Sequence, residues 1–149
     1  MLIEAAEILP NLYRRVLIPP SVKAELAHAN TPDIVRAWIS RPPLWLEVVA
    51  LKQPIDPALS HLDNGEREAI SLACELQASL LLMDERGGVT IARQRGLNVV
   101  GTLAALDLAA SHGLIDLATM FNRLRETTFR APIRLMASML EQDAERKRR

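Results

Sequence analysis

The chain has 149 residues, of which 49% are hydrophobic, and this composition predicts one globular domain over 1–149 while excluding a disordered chain. The 18 Lys and Arg residues balance the 18 Asp and Glu residues, so the net charge of zero argues against a non-specific nucleic-acid binder. The single cysteine, Cys74, excludes an internal disulfide and a cysteine-rich zinc site, and we expect it to be a small buried residue.

Apolar runs in the sequence are short. None approaches the roughly 20 residues that span a bilayer. The N-terminus lacks the basic region and apolar core of a signal peptide. We therefore expect a cytoplasmic protein with no membrane partner.

The elements follow one another as short strands and helices. Helical spacing predicts a first helix over 2–14, and RVLIPP predicts a strand stopped by Pro19 and Pro20. In chain order there follow helices at SVKAELAHA and TPDIVRAWI, a strand at LEVV, a loop over 52–62, a helix at NGEREAISLACEL, a strand at SLLLM, a helix at GVTIARQRG, a strand at NVV, and helices at TLAALDLAASHG and LIDLATMFNRLRET. The last helix begins near Pro132 and runs into a charged tail, 141–149.

This alternation of strands and helices predicts an α/β fold with a parallel sheet. Both faces of such a sheet are covered, so its strands are continuous apolar runs, as in LLLM. Ligands of open parallel sheets bind beyond the carboxyl ends of the strands. Asp84 follows LLLM directly, with Glu85 beside it and two glycines after Arg86, so it is a candidate for such a site; alternatively, Asp84 or Glu85 caps the next helix.

Two further carboxylates are placed at the edge of predicted apolar faces. Glu66 precedes Ala69 and Ile70 by three and four residues and shares their helix face, where a carboxylate is costly to desolvate. The alternative is that Glu66 merely suits the first helical turn, with Asp63 as the cap of that helix or an outer acid. Glu25 lies at the border of the buried stripe of its helix, where a solvated glutamate is the alternative.

Glu25, Glu66 and Asp84 together suggest a site for a hard divalent cation. Carboxylate oxygens favour Mg²⁺ or Mn²⁺, which activate water and stabilise phosphoryl transition states. Other catalytic patterns are missing: the sequence has no HExxH, GxSxG, P-loop or GxGxxG. Asp107 stands between two leucines in a helix and is expected to face solvent.

Five segments in order resemble the PIN-like proteins of the DUF3368 group, relatives of VapC-type toxins. They are RVLIPPSVKAEL, LDNGEREAISLACEL, LLLMDERGGVTIARQRGL, VVGTLAALDLAASHGLI and FNRLRETTFR, which together span nearly the whole chain. The resemblance implies a three-layer α/β sandwich with a parallel central sheet and a metal-dependent ribonuclease of toxin–antitoxin type.

The resemblance also implies residue roles. Glu25, Glu66 and Asp84 would be the catalytic and metal-holding acids for Mg²⁺ or Mn²⁺, with Asp63 and Glu85 nearby. Three basic side chains would steer the phosphates of an RNA substrate, and their alternative is a solvated helix face; they are Arg86, Arg93 and Arg95. Possible partners implied by the family are a small antitoxin, which would insert a basic side chain, and a second copy of the chain.

One feature departs from the family. Its members carry a first strand with an aspartate ahead of the first helix, whereas this sequence opens inside that helix and has no aspartate before Asp33. Three explanations compete: a start assigned too far downstream, a fragment, or a decaying gene. We therefore predict weak or absent cleavage by this chain, which an upstream strand with its aspartate should restore.

Two rival functions remain open from the sequence. The chain could be a non-catalytic module, derived from a PIN domain, that binds nucleic acid or an antitoxin. It could also be a phosphoacceptor domain with Asp84 as acceptor, although VVGTL lacks the late lysine that such domains carry.

Overall fold

The computed structural model describes residues 3–149, with side chains from residue 5 onward. Leu2, at the start of the first predicted helix, lies outside the described residues. The chain divides into two compact units. Unit 1 combines the described residues up to Leu12 with Thr102–Arg149, and unit 2 is Tyr13–Gly101.

Unit 2 alternates short strands with helices. Its elements are β1 (Val16–Ile18), α3 (Pro20–Leu26), α4 (Asp33–Ser40), β2 (Leu46–Val48), a 3-10 turn (Pro57–Leu59), α5 (Asn64–Glu75), β3 (Leu81–Leu82), α6 (Arg86–Gln94) and β4 (Val99–Val100). The labels α1 and α2 belong to the helices before β1.

The described strands form two separate parallel pairs. In one pair, β1 lies beside β2, with Leu17 opposite Glu47. In the other, β3 lies beside β4, with Leu82 opposite Val100. Each connection between paired strands contains helices, as parallel pairing requires. A buried cluster of Leu59, Leu62, Ile70 and Ala92 joins α5, α6 and the preceding 3-10 turn.

Among the described residues of unit 1, all strands are absent and the regular elements are helices. Its helices are α1 (Ile3–Ala6), α2 (Leu9–Leu12), α7 (Thr102–Ser111), α8 (Leu117–Arg125) and α9 (Ile133–Arg148). Its core includes Ile8, Leu106, Leu117, Phe121 and Met136, so residues far apart in sequence pack together.

An ion-pair network ties α7, α8 and α9 together; we define it as Asp107, Asp116, Asp143, Arg146 and Lys147. Arg146 donates to Asp107 at 2.7 Å and to Asp143 at 2.9 Å. Lys147 donates to Asp116 and to Asp143, each at 2.8 Å. The Asp143 side chain is only 6% exposed, so both bases compensate the cost of burying it. These contacts hold down the pKa of Asp143, through Lys147 first.

The fold is a mixed α/β arrangement, mostly helical, with short parallel strands. The three-layer sandwich around one central sheet stays a prediction, since the described strands pair two by two. The expected helix over 2–14 was wrong in one respect: it breaks between α1 and α2, where Pro10 would clash with the carbonyl four residues earlier in a continuous helix.

One smaller expectation was also wrong. Cys74 is exposed, because it lies on the solvent side of α5 while Ala73 beside it is buried. Asp107, which was expected to face solvent, keeps a side chain 30% exposed and also accepts from Arg146 in the ion-pair network. The predicted loop over 52–62 contains the 3-10 turn, begun by the Asp56 side chain accepting from the Ala58 amide at 2.9 Å. No helix in the described part of the chain is both long enough and apolar enough to cross a membrane.

Candidate acidic site

The first turn of α5 presents Glu66. Asp63 caps this helix, its side chain accepting from the Glu66 amide at 2.9 Å, which satisfies one of the free donors at the helix start. The predicted cap at Asp63 is therefore confirmed. Because the cap fixes the first turn, it also fixes the direction in which the Glu66 side chain leaves the helix.

Helix α3 is tied to the same turn. The Ser21 amide donates to the Glu68 carboxylate at 2.9 Å, and the Ser21 hydroxyl donates to the Asn64 carbonyl at 3.3 Å. This contact brings Glu25 of α3 against Gly65, where a Cβ atom would stand 3.0 Å from Glu25 Oε2. Glycine at 65 thus leaves room for the Glu25 carboxylate beside Glu66.

The start of α6 closes on Glu66 from another side. A Cβ atom at Gly88 would lie 3.5 Å from the carboxyl carbon of Glu66 and 2.6 Å from the sulfur of Met83. The approach of α6 to Met83 therefore needs a residue without a side chain at position 88, whereas Glu66 lies at an ordinary contact distance. Met83 ends the β3 segment, and its amide donates to the Val100 carbonyl at 3.0 Å.

Asp84 follows Met83 at the carboxyl end of this strand pair. Across the pair, a Cβ atom at Gly101 would stand 2.8 Å from Asp84 Oδ1. That separation is shorter than any normal Cβ contact, so an alanine at 101 would displace the Asp84 carboxylate. The predicted position of Asp84 at the rim of a parallel strand pair agrees with this geometry.

Carboxylates surround Glu66, and we define the Glu66 cluster as Glu25, Asp63, Glu66 and Glu85. Glu66 is half-buried, and its pKa is raised chiefly by desolvation and then by the negative charge of Asp63, with Glu85 and Glu25 adding to the rise. A hydrogen bond from the Asp63 backbone acts in the opposite direction. The site therefore concentrates negative charge around one partly desolvated acid, which is the electrostatic setting of a cation site.

The donor set fits a hard divalent cation better than a softer metal, because every candidate ligand is a carboxylate oxygen. Among the residues that the structure describes, no three acids, histidines or cysteines are close enough together to form a complete metal-ligand group. Mg²⁺ usually keeps several waters and is held through one or two protein carboxylates, so it does not require such a group. The absence of side chains at Gly65 and Gly101 leaves the space that the Glu25 and Asp84 carboxylates occupy.

The sequence left open that these acids are helix caps or solvated side chains. Glu85 is the residue that precedes α6, yet its side chain makes no capping hydrogen bond, so the cap interpretation fails for it. Glu25 is exposed, as its alternative anticipated, although it lies against Gly65. Asp84 has an interaction partner of its own within the described chain.

The three predicted substrate-steering arginines differ from one another. Arg86 and Arg93 lie exposed at the first and last turns of α6. Arg95 is engaged in an ion pair, donating to Asp56 at 2.8 Å, and its side chain is 31% exposed. Arg86 and Arg93 are accordingly more available to a phosphate than Arg95.

Sequence reasoning missed the contribution of Gly65 and Gly101. Gly65 lies in the DNGE sequence and Gly101 in the VVGT sequence, both within segments that carry the family resemblance. Gly65 faces Glu25 and Gly101 faces Asp84, both predicted site acids. Two sequence features could have indicated these close contacts. Gly65 lies beside the candidate acid Glu66, and Gly101 follows the predicted strand NVV.

Comparison with known families gives one result. The sequence model of the DUF3368 family, described as a PIN domain, matches residues 1–145. No curated protein and no solved structure gives a significant match.

Proposed function

The chain belongs to the DUF3368 family of PIN domains, and from that premise we propose that it is a metal-dependent endoribonuclease of toxin type. The family implies a nuclease-like fold, and PIN domains bind nucleic acids. The observation that carries the proposal is Glu66, a half-buried carboxylate whose pKa is raised by desolvation and by neighbouring carboxylates. Desolvation and like charge destabilise the ionised form of Glu66, and a bound cation would stabilise that form.

The proposed ligands are Glu25, Glu66 and Asp84, with Asp63 and Glu85 as outer acids. Bound Mg²⁺ or Mn²⁺ would supply an activated water and charge stabilisation for hydrolysis of an RNA phosphodiester bond. The chain's own residues hold the geometry. Asp63 fixes the first turn of α5, and the space at Gly65 and Gly101 sets where the carboxylates stand.

The arginines of α6 would contact the substrate backbone. Arg86 and Arg93 are exposed and, among the described residues, have no acidic partner, so they can donate to phosphate oxygens without breaking an existing ion pair. Arg95 would first have to leave Asp56, which makes its contribution conditional. These contacts position the RNA backbone and do not select its sequence.

The test is cleavage of a fluorescent single-stranded RNA in the presence of Mg²⁺ or Mn²⁺. Glu66→Gln and Asp84→Asn should each reduce the cleavage rate on the order of 100-fold, as loss of a group that stabilises transition-state charge does. Glu145→Gln is the matched control, since it removes an exposed carboxylate of unit 1. Because weak or absent cleavage is expected of this chain, the same assay is run on a chain extended upstream by a strand that carries an aspartate. Absence of cleavage by both chains with either metal, or equal rates in all variants, would refute the catalytic proposal.

A second candidate function is an RNA-binding module without chemistry, which the availability of Arg86 and Arg93 favours. In that case Arg86→Gln and Arg93→Gln should weaken RNA binding, while Glu66→Gln and Asp84→Asn should leave it unchanged. Fluorescence anisotropy in chelator measures this binding without any contribution of a metal ion. Absence of cleavage when Mg²⁺ or Mn²⁺ is restored then separates the binding module from the nuclease.

The remaining implications of the resemblance stay predictions. They are a small antitoxin that inserts a basic side chain among the acids, a homodimer, and a cytoplasmic location. Light scattering on the purified chain would test the dimer directly. Competition between a basic peptide and Mn²⁺ for the Glu66 cluster would test whether the acids accept a basic side chain.

A further inference from the structure

A second charged surface lies in unit 1, apart from the acids described above. The segment that joins α8 to α9, which we call the basic connector and define as residues 123–134, contains four arginines and one glutamate. All four arginines are exposed; they are Arg123, Arg125, Arg130 and Arg134. The net charge of zero of the whole chain conceals this local excess.

The connector is held against its own unit. The Thr127 amide donates to the Leu124 carbonyl at 3.1 Å, and the Phe129 amide donates to the Thr127 hydroxyl at 3.2 Å. Phe129 and Ala131 pack against the core of unit 1. Arg130, between these two inward residues, is exposed, so its guanidinium is displayed by an anchored backbone.

The charge of the connector is not neutralised within the described chain. Arg125, Arg130 and Arg134 have no acidic partner there, and Arg123 has an interaction of its own. The other end of α9 differs, because Arg146 and Lys147 are engaged in the ion-pair network and Arg148 donates to the Ala144 carbonyl of its own helix at 3.3 Å. An arginine that is exposed and unpaired retains all its donors for an external anion.

The composition of the connector favours a phosphate backbone over a protein surface. The exposed large aliphatic side chains here are Ile133 of the connector, 74% exposed, and Leu135 just beyond it, 51% exposed. Two residues apart on a helix, they point about 200° from each other and form no continuous apolar patch of the kind that a protein interface buries at its centre. Arginine forks are suited to phosphate oxygens.

We propose that Arg125, Arg130 and Arg134 form a metal-independent binding surface for the phosphate backbone of RNA. The choice of RNA rests on the proposed function, whereas the anionic character of the ligand rests on the arginines themselves. The surface binds strand backbone without reading bases, so it raises the affinity for many RNAs equally. It needs neither the Glu66 cluster nor a divalent cation.

The experiment measures binding of a fluorescent oligouridylate by anisotropy, in chelator, over a series of salt concentrations. The variant is Arg130→Gln combined with Arg134→Gln. The control combines Arg148→Gln with Arg149→Gln, which removes the same number of exposed charges from the same unit. Circular dichroism and thermal unfolding confirm that both variants keep the fold of the unmodified chain.

Two lost phosphate contacts should weaken binding roughly tenfold at low salt and reduce the slope of log affinity against log salt by about 1.4. The control should change neither quantity by a comparable amount. Adding Arg125→Gln should deepen both effects.

Four results would overturn the inference. Three concern RNA: unchanged binding in the Arg130 and Arg134 variant, an equal loss in the control, and absence of RNA binding by the unmodified chain. The fourth is binding of polyglutamate in place of the oligonucleotide, which would indicate an acidic protein partner. Failure of the nuclease proposal looks different: cleavage would be missing while this metal-independent binding and its loss in the variant remained.

Discussion

In unit 1, three aspartates form ion pairs with two basic side chains. In unit 2, the carboxylates of the cluster surround Glu66, for which no ion pair with a basic side chain is formed among the described residues. The consequences for proton affinity are opposite. Hydrogen bonds from Lys147 and Arg146 lower the pKa of Asp143, while desolvation and like charge raise the pKa of Glu66. Burial of a carboxylate is therefore compensated in one unit and left uncompensated in the other.

This difference separates two uses of the same residue types. The ion-pair network satisfies its acids internally and holds helices together, so it has little capacity left for an external cation. The Glu66 cluster stores unfavourable charge, which an external cation would relieve. Functional sites commonly concentrate such perturbed groups, so the contrast supports the acidic site as the place where a ligand binds.

The largest expected effect is on metal binding at the Glu66 cluster. Glu66→Gln should weaken Mn²⁺ binding on the order of 100-fold, because it removes a ligand charge from the cluster. Asp143→Asn should leave the Mn²⁺ affinity unchanged. Isothermal titration calorimetry on both variants measures this, and equal affinities in the two would show that the metal does not bind at the Glu66 cluster.

The next largest effect is on the stability that the ion-pair network of unit 1 provides. Asp143→Ala should lower the free energy of unfolding by about 2 kcal/mol, because it removes a buried acceptor from two charged donors. Glu145→Ala, an exposed change on the same helix, should stay within about 0.5 kcal/mol of the unmodified chain. Urea denaturation gives both values; similar losses in the two variants would contradict the structural role of the network.

A third prediction concerns the space that surrounds the acids. Gly101→Ala should displace the Asp84 carboxylate and weaken Mn²⁺ binding roughly tenfold, since misplacement of a ligand by a fraction of an ångström is costly. Gly96→Ala does not serve as a control, because Gly96 has a positive φ of 80°. Gly87→Ala does, since a Cβ there would meet only Leu62 at 3.8 Å. An unchanged affinity in Gly101→Ala would mean that Asp84 is not a ligand.

The dependence of stability on pH should differ in sign between the units. The pKa of Asp143 is lowered in the folded state, so its stabilisation is complete above the ordinary value of 3.8 and is lost as the pH falls through the folded pKa. The pKa of Glu66 is raised, so its contribution is most favourable below 4.5 and is lost as the pH rises through the folded pKa.

Denaturation of the metal-free chain across this pH range tests both signs. Asp143→Asn should reduce the loss of stability in acid, and Glu66→Gln should differ from the unmodified chain only as the pH rises above about 4.5. A Glu66→Gln variant that differs most in acid would contradict the raised pKa.

The smallest expected effect sharpens the contrast. At neutral pH and without metal, Glu66→Gln should raise the free energy of unfolding by roughly 0.5 kcal/mol at most, because solvent screens a half-buried charge. The gain should vanish when Mn²⁺ is added, since only the unmodified chain is stabilised by the ion. A loss of stability in the metal-free variant would place Glu66 among the structural acids.

Local sequence patterns were sufficient for most of the elements. Apolar periodicity predicted α5, and Asp63 was recognised as a possible cap, because both depend on residues within one helical turn. The break before Pro10 was equally local and was overlooked. Pairing of strands was less accessible, because the register of β3 with β4 depends on residues about 18 apart.

The site was predictable in its acids and not in its surroundings. Glu66 and Asp84 follow from their positions in an apolar face and after an apolar strand. The close approach of Glu25 to Gly65, and of Asp84 to Gly101, depends on how separate elements pack, which one sequence does not reveal. The ion pair of Asp107 was not predictable for the same reason, since its partner Arg146 lies 39 residues away.

The composition of unit 1 has a consequence for synthesis on the ribosome. Ile8 packs in the same core as Met136, although the two residues are far apart in sequence. In the order of the sequence, all of unit 2 is synthesised after the first segment of unit 1 and before its second segment. Domains tend to fold as units while translation proceeds from the N-terminus. The acidic site of unit 2 can therefore assemble on the nascent chain before the basic connector has left the exit tunnel, and the early helices α1 and α2 must wait for their partners until α7, α8 and α9 have been synthesised.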